Sequence, residues 1–276
     1  MKNKIQKTNF AEWSEQFCAV HKSNGRIGLL YFISTLFRST IYEDLRFFPH
    51  IFFFGAHGTG KSEMNRSIAS MFNEPPSLFS LQEIRPITLT KLGAEYHHPL
   101  LFLNEYTNSI DINIIRALIL SYDGDSHHVV YTNNIVKRIL VNYSSIISGQ
   151  CLPIEEIALY KRVILLHFHQ TEFTEHEIKE RMKLIGMEKA GLSHIEEYVK
   201  YFHPIIKDNF ISTVKSTVNE FNQLLGDKFE LRIIYNMAIL VTMQRLLSRV
   251  LEFPFTDEEF TATTIENIRS QNNLIQ

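Results

Sequence analysis

The stretch Ile51-Phe52-Phe53-Phe54-Gly55-Ala56-His57-Gly58-Thr59-Gly60-Lys61-Ser62 constrains the chain more than any other. Ile51 to Phe54 is short and wholly apolar, which predicts a strand buried on both faces. A glycine-rich turn follows, then Lys61-Ser62, then a segment from Glu63 to Phe72 that reads as a helix. Strand, G-x-x-x-x-G-K-S and helix, in that order, make a phosphate-binding loop. Glycine lets backbone N–H groups turn inward with no Cβ in the way. Together with the helix N-terminus they form an anion site. On this reading Gly55, Ala56, His57, Gly58, Thr59, Gly60, Lys61 and Ser62 bind ATP. Lys61 reaches the β- and γ-phosphates and Ser62 ligates Mg2+. The plain alternative is a glycine-rich turn that happens to carry Lys-Ser.

A chain of 276 residues has room for one large domain, or one domain with a helical appendage. With 45% hydrophobic and 21% charged residues it has the balance of an ordinary soluble globular protein. A net charge of -2 offers no global basic field, so any contact with nucleic acid must come from local patches. Cys18 and Cys151 stand far apart and no C-x-x-C pair occurs, so neither a zinc site nor a disulfide framework is indicated and a cytoplasmic location is expected. No run of about 18 apolar residues marks a membrane span. The basic start Met1-Lys2-Asn3-Lys4 is not followed by a signal-peptide core.

Pro99-Leu100-Leu101-Phe102-Leu103-Asn104-Glu105-Tyr106 is the second landmark. An apolar strand ending in Asn-Glu has the form of a Walker B strand. There the first position holds the hydration shell of Mg2+ and the second activates the attacking water. Glu105 fits the second role, as catalytic base. Asn104 stands where Asp is usual; its amide accepts a hydrogen bond from a metal-bound water but brings no charge, so weaker metal binding and slower turnover are expected. The alternative is a buried strand ending in a polar turn. Ser144 to Gln150 reads as a third buried strand beside it, where Gln150 or Ser148 would sense the γ-phosphate or orient the water. Lys161-Arg162 precedes a fourth apolar strand, Val163 to Phe168. Arg162 is either an arginine finger or a surface residue at a helix end.

Helices are expected on both sides of this core. Phe10, Trp13, Phe17 and Val20 recur at helical spacing up to a break at Asn24-Gly25. Ile27 to Phe37 is a buried helix or an interface, and Pro49 closes the segment. Ser80 to Thr90, with Pro86, reads as irregular with one short strand, and Thr90 to Tyr96 as a short helix. Ile110 to Leu120 follows as another. His127 to Val141 reads as a β-hairpin around Thr132-Asn133-Asn134. His127, His128, Lys137 and Arg138 lie on it, either as a solvated hairpin or as one reaching a nucleic-acid backbone. Beyond residue 171 the pattern is helical, with the capping box Thr174-Glu175-His176-Glu177, an interruption at Pro204, Arg232 near a helix start, and a polar tail expected to fray.

Gly55 to Ser62, Leu100 to Glu105, Gly124-Asp125 before a hairpin, Ser148-Gly149-Gln150 with Pro153, and Ile157 to Arg162 leading into Val163 follow one another in an order that resembles the superfamily 3-like (AAA+) helicase domain of primase-helicases from phages, plasmids and mobile elements. Glu105-Tyr106-Thr107-Asn108 resembles the sequence after Walker B in mobile-element primases, and Arg232-Ile233-Ile234-Tyr235-Asn236 resembles an Arg-x-x-x-Asn of the same proteins. The resemblance covers residues 50 to 170. It implies an α/β P-loop NTPase (AAA+/superfamily 3 helicase-like) sheet sandwiched by helices over 50–170; the residue pattern adds an N-terminal helical segment over 1–49 and an all-helical C-terminal domain over 171–276. It implies ATP and Mg2+, a homo-oligomer in the form of a hexameric ring, Arg162 acting on the neighbouring subunit, and hairpins tracking single-stranded DNA during replication. The zinc-binding and polymerase parts of such primases are missing from the sequence. It is therefore expected to be their ATPase portion or a stand-alone version of it. The function expected is an ATP-dependent DNA helicase or translocase; the alternative is a nucleotide-binding switch or scaffold with weak hydrolysis, and a small-molecule kinase is disfavoured because no cluster of lid arginines is found.

Overall fold

The computed structural model describes residues 8–125, 129–132, 135–138, 140–141, 143–169, 172–226 and 228–275, with the backbone alone described at 94, 129–132 and 135–138. Its strands are β1 (His50–Phe54), β2 (Leu78–Ser80), β3 (Leu100–Tyr106), β4 (Val129–Thr132), β5 (Ile135–Arg138), β6 (Ser144–Gly149) and β7 (Val163–His167). Five of them form one sheet in the order β2-β3-β6-β1-β7, every described pairing parallel. The register sets Phe52 beside Ile147 on one side and Leu165 on the other. Ile51, Phe52 and Phe53 are fully buried, as expected for an interior parallel strand covered on both faces. Because the strands run in one direction, the chain leaves β1, β3 and β6 at the same edge, where ligands bind in open α/β sheets. β4 and β5 pair antiparallel as the expected hairpin. His127 and His128 lie outside the described residues. Lys137 and Arg138 are placed on β5 by backbone alone.

Helices cover the sheet. α1 (Phe10–Leu36) starts at a capping box of Asn9 and Glu12. Its break falls at Lys22 (φ 53°, ψ −132°) rather than at Asn24-Gly25, which lie inside the helix. The part beyond the break is the buried helix over Ile27 to Phe37, with Leu29, Leu30, Phe32 and Ile33 fully enclosed. α2 (Arg38–Leu45) leads to β1, α3 (Lys61–Ala69) follows the glycine-rich turn, and α4 (Pro86–Glu95) lies between β2 and β3. α5 (Ile112–Tyr122) is capped by Asp111, whose carboxylate accepts from the Asn113 N–H at 2.8 Å. α6 (Ile157–Tyr160) is a single turn before β7.

α7 (Glu175–Lys189) opens on the Thr174–Glu177 capping box. α8 (His194–Lys200), α9 (His203–Leu225), α10 (Leu231–Leu247) and α11 (Asp257–Asn273) complete the described helices. These late helices share the core of the sheet: one buried cluster includes Trp13, Phe52, Leu166, Met237 and Ile268. The tail does not fray over α11. Gln271 is 1% exposed and binds the edge strand, donating to Val163 O at 2.9 Å and accepting from Leu165 N at 3.1 Å. No described helix is long and apolar enough to cross a membrane.

Candidate nucleotide site

The turn after β1 is shaped by close approach and by backbone sign. A Cβ on Gly55 would stand 2.3 Å from Phe168 O, so only glycine passes there. Gly60 caps α3 at φ 98°, a left-handed conformation that favours glycine. The N–H groups of His57, Gly58, Thr59, Gly60, Lys61 and Ser62 have no backbone acceptor among the described residues. Six such donors around one turn are the groups from which an anion nest is built. Lys61 curls back into it, its Nζ donating to Gly55 O and Ala56 O at 2.6 Å each. Partial burial holds its pKa below that of a free lysine.

β3 delivers the next groups. Asn104 Oδ1 accepts from Ser148 Oγ at 2.9 Å, a contact across the β3–β6 pairing. Between Leu103 and Tyr106 the register shifts, and Glu105 takes φ 64°, rare for a residue with a Cβ. This turns its carboxylate toward β2, where Ser80 Oγ donates to it. Gln82 Nε2 braces the Glu105 carbonyl at 3.1 Å and Thr107 Oγ1 at 2.9 Å. Lys61, Ser62, Asn104, Glu105, Ser148 and Gln150 line one cleft of about 790 Å3.

Arg181 on α7 also lines this cleft and was not singled out in the sequence. Its guanidinium grips the Glu63 carboxylate through both Nε and Nη2 and lies over the Phe173 ring at 5.5 Å. It connects the cleft with a second one of about 780 Å3, since Thr59, Gly60, Glu63 and Arg181 line both. The second cleft is walled by the break in α1, the end of β7 and α7. There Asn24 Nδ2 donates to His167 O at 3.0 Å, and Lys22 pairs with Glu177 at 2.7 Å. His21 is kept neutral, since burial pushes its pKa down to about 3. Asn267 donates to Leu165 O at 2.8 Å, which fixes its amide and leaves its Oδ1 unpartnered. Each of the two clefts is of small-molecule size.

Arg162 is not brought to this site. Its backbone carbonyl accepts from His50 N at 3.1 Å, at the start of β1, while the glycine-rich turn leaves from its end. That separation is about 13 Å along the strand. Arg162 is 9% exposed, with Nη1 on Ala158 O at 2.9 Å, Nη2 on Asp123 at 3.2 Å and the guanidinium over Tyr122. Arg232, on the first turn of α10, is felt by Tyr122 as well and so lies toward this end of the sheet.

A parallel sheet whose glycine-rich turn and polar strand ends meet in one cleft defines the class: an α/β protein with its site at the carboxyl ends of its strands. No protein-family model and no curated protein matches the chain. Among solved structures it is similar to one described as "SCCmec type IV Cch - active helicase", with a TM-score of 0.68 at 15% identity. The match covers 96% of this chain and 51% of that one, so the chain spans about half the length of its structural neighbour. At that identity the likeness establishes a shared, helicase-like fold.

Proposed function

We propose that the chain is an ATP-binding P-loop ATPase, the helicase or translocase portion of a replication protein of a mobile element, phage or plasmid. The observation that carries this reading is the convergence of Lys61, Ser62, Asn104, Glu105 and Gln150 on one cleft whose floor holds six orphan N–H groups. An anion of several charges fits such a floor. The triphosphate would lie along residues 55–62, with Lys61 exchanging its two carbonyl partners for phosphate oxygens. Ser62 and Asn104 would hold Mg2+, Asn104 through water; bound there, the ion would neutralise charge on the phosphates. Glu105 would take the proton of the attacking water, and Gln150 would orient it. Arg162, remote from its own chain's cleft, would serve a neighbouring copy in an assembled ring. The structural neighbour is described as an active helicase, and the shared fold is consistent with a motor of that kind.

A second reading, a nucleotide-driven switch with weak hydrolysis, is favoured by Asn104. Its amide brings no charge to the metal, and its oxygen already accepts from Ser148. Steady-state ATPase with and without single-stranded DNA separates the two: stimulated turnover supports the motor, and tight binding without turnover the switch. Lys61→Ala is expected to weaken ATP binding by about ten-fold or more, the loss of charge-assisted hydrogen bonds. Glu105→Gln is expected to bind ATP while turnover drops on the order of a hundred-fold. Normal turnover in Glu105→Gln would remove Glu105 from the role of base.

A further inference from the structure

Apart from these two clefts, α4, α5 and the chain leaving the hairpin line a third of about 470 Å3. This lies in the range of small-molecule sites, roughly 300–1,000 Å3. Its floor is apolar: Leu89, Val141 and Tyr143 are buried, and Ala117 forms part of the wall. Arg85, just before α4, and Arg116, on α5, line it and are exposed. Neither guanidinium has a hydrogen-bond or ion-pair partner among the described residues. Asp125, the carboxylate that also lines the cleft, already has a partner.

An apolar slot flanked by two unpaired guanidinium groups matches a ligand with a flat apolar part and anionic groups on either side. A single strand of nucleic acid repeats that pair of chemistries at every residue: a base with a π-face and a phosphodiester. An acidic peptide offers the charge but not a flat ring at each step. Position supports the same choice, because Val141 lies three residues beyond β5, whose last two residues are Lys137 and Arg138. We propose that this cleft takes one unstacked base of a single-stranded nucleic acid, with Arg85 and Arg116 on the neighbouring phosphates. The inference rests on the nucleic-acid reading above and is independent of hydrolysis at residues 55–62.

The test is fluorescence anisotropy of the full chain with a labelled oligo-dT and with an oligonucleotide of equal length carrying abasic sites. The intact protein is expected to bind the dT strand about five-fold or more tightly, the worth of one stacked base. Ala117→Phe fills the cleft without changing charge and is expected to abolish that preference while leaving ATP binding intact. Asn113→Trp, at the exposed rim, blocks the same space should Ala117→Phe fail to fold. Arg85→Ala with Arg116→Ala is expected to weaken both strands alike and to flatten the salt dependence. Equal binding of the two strands by the intact protein, or a preference that survives Ala117→Phe or Asn113→Trp, overturns the proposal. So does a change in oligomer size or in acidic-peptide binding with no change in the base preference, which makes the cleft a protein interface. A base preference in a chain that binds no ATP would sink the motor reading and keep the cleft; ATP turnover with no base preference would do the reverse.

Discussion

His50 is fully buried at the start of β1, and its partners fix its tautomer. Nδ1 accepts from Ser145 N at 3.2 Å, while Nε2 lies 3.0 Å from Leu118 O, which can only accept. Nε2 therefore carries the proton. Burial pushes the pKa down to about 4, against about 6.5 in an unfolded chain. Below pH 6.5 the unfolded chain takes up a proton that the native imidazole refuses, so stability is complete above that pH and falls toward pH 4. The full loss is on the order of 3 kcal/mol. Urea midpoints of the intact protein are expected to fall over this window. His50→Gln, less stable at pH 7, is expected to fall less steeply. His21, shifted the same way, keeps some slope in both, and an identical slope in the variant would exclude His50 as a source. Lys61, Ser62 and Glu105 were legible at this scale because each sits at a fixed spacing from glycine or from an apolar run. Arg181 was not: it is one charge among many on a polar helix, and its partner Glu63 lies 118 positions earlier.

Proline and glutamine show where elements escaped the sequence. Pro86 and Pro204 read as interruptions, yet both occupy the first turn of a helix, opening α4 and α9, where the missing N–H has no partner to lose. A proline carries both meanings, and only the packing of the following turns selects one. The polar end of α11 likewise reads as solvated. Gln271 instead stitches the helix to the sheet edge, donating to Val163 O and Tyr160 O and accepting from Leu165 N, while Tyr160 Oη donates to its carbonyl at 2.7 Å. Gln271→Leu leaves three backbone groups unpaired in the interior. It is expected to destabilise the protein by about 2–4 kcal/mol, read from urea unfolding. A change within about 0.5 kcal/mol, usual for a surface site, would show that water replaces these bonds. The strands β1, β3, β6 and β7 were legible because parallel interior strands are short apolar runs, and the capping box of α7 because Thr174–Glu177 is a local pair.

For the whole molecule, the legible part ends at the limits of one chain. Arg162 stands at the opposite end of the sheet from Lys61, so any part it takes in hydrolysis must be in another copy's cleft. On the proposed ring, Arg162→Ala and Lys61→Ala proteins are each expected to be inactive alone and to regain a measurable fraction of turnover when mixed, since mixed rings would contain some junctions with both groups intact. No recovery, or full activity in Arg162→Ala alone, would remove Arg162 from the reaction. No spacing within one chain encodes which copy's cleft a side chain meets, whereas the core that joins the chain's ends was written in its apolar positions. That core also orders events in time. β7 borders the strand that leads into the glycine-rich turn, and its carbonyls stay unmatched until α11 arrives more than a hundred residues later. A growing chain leaving the ribosome can therefore lay down most of the sheet early but cannot close its edge until α11 is made. Contacts so distant in sequence form slowly. During synthesis the exposed edge is the aggregation-prone state.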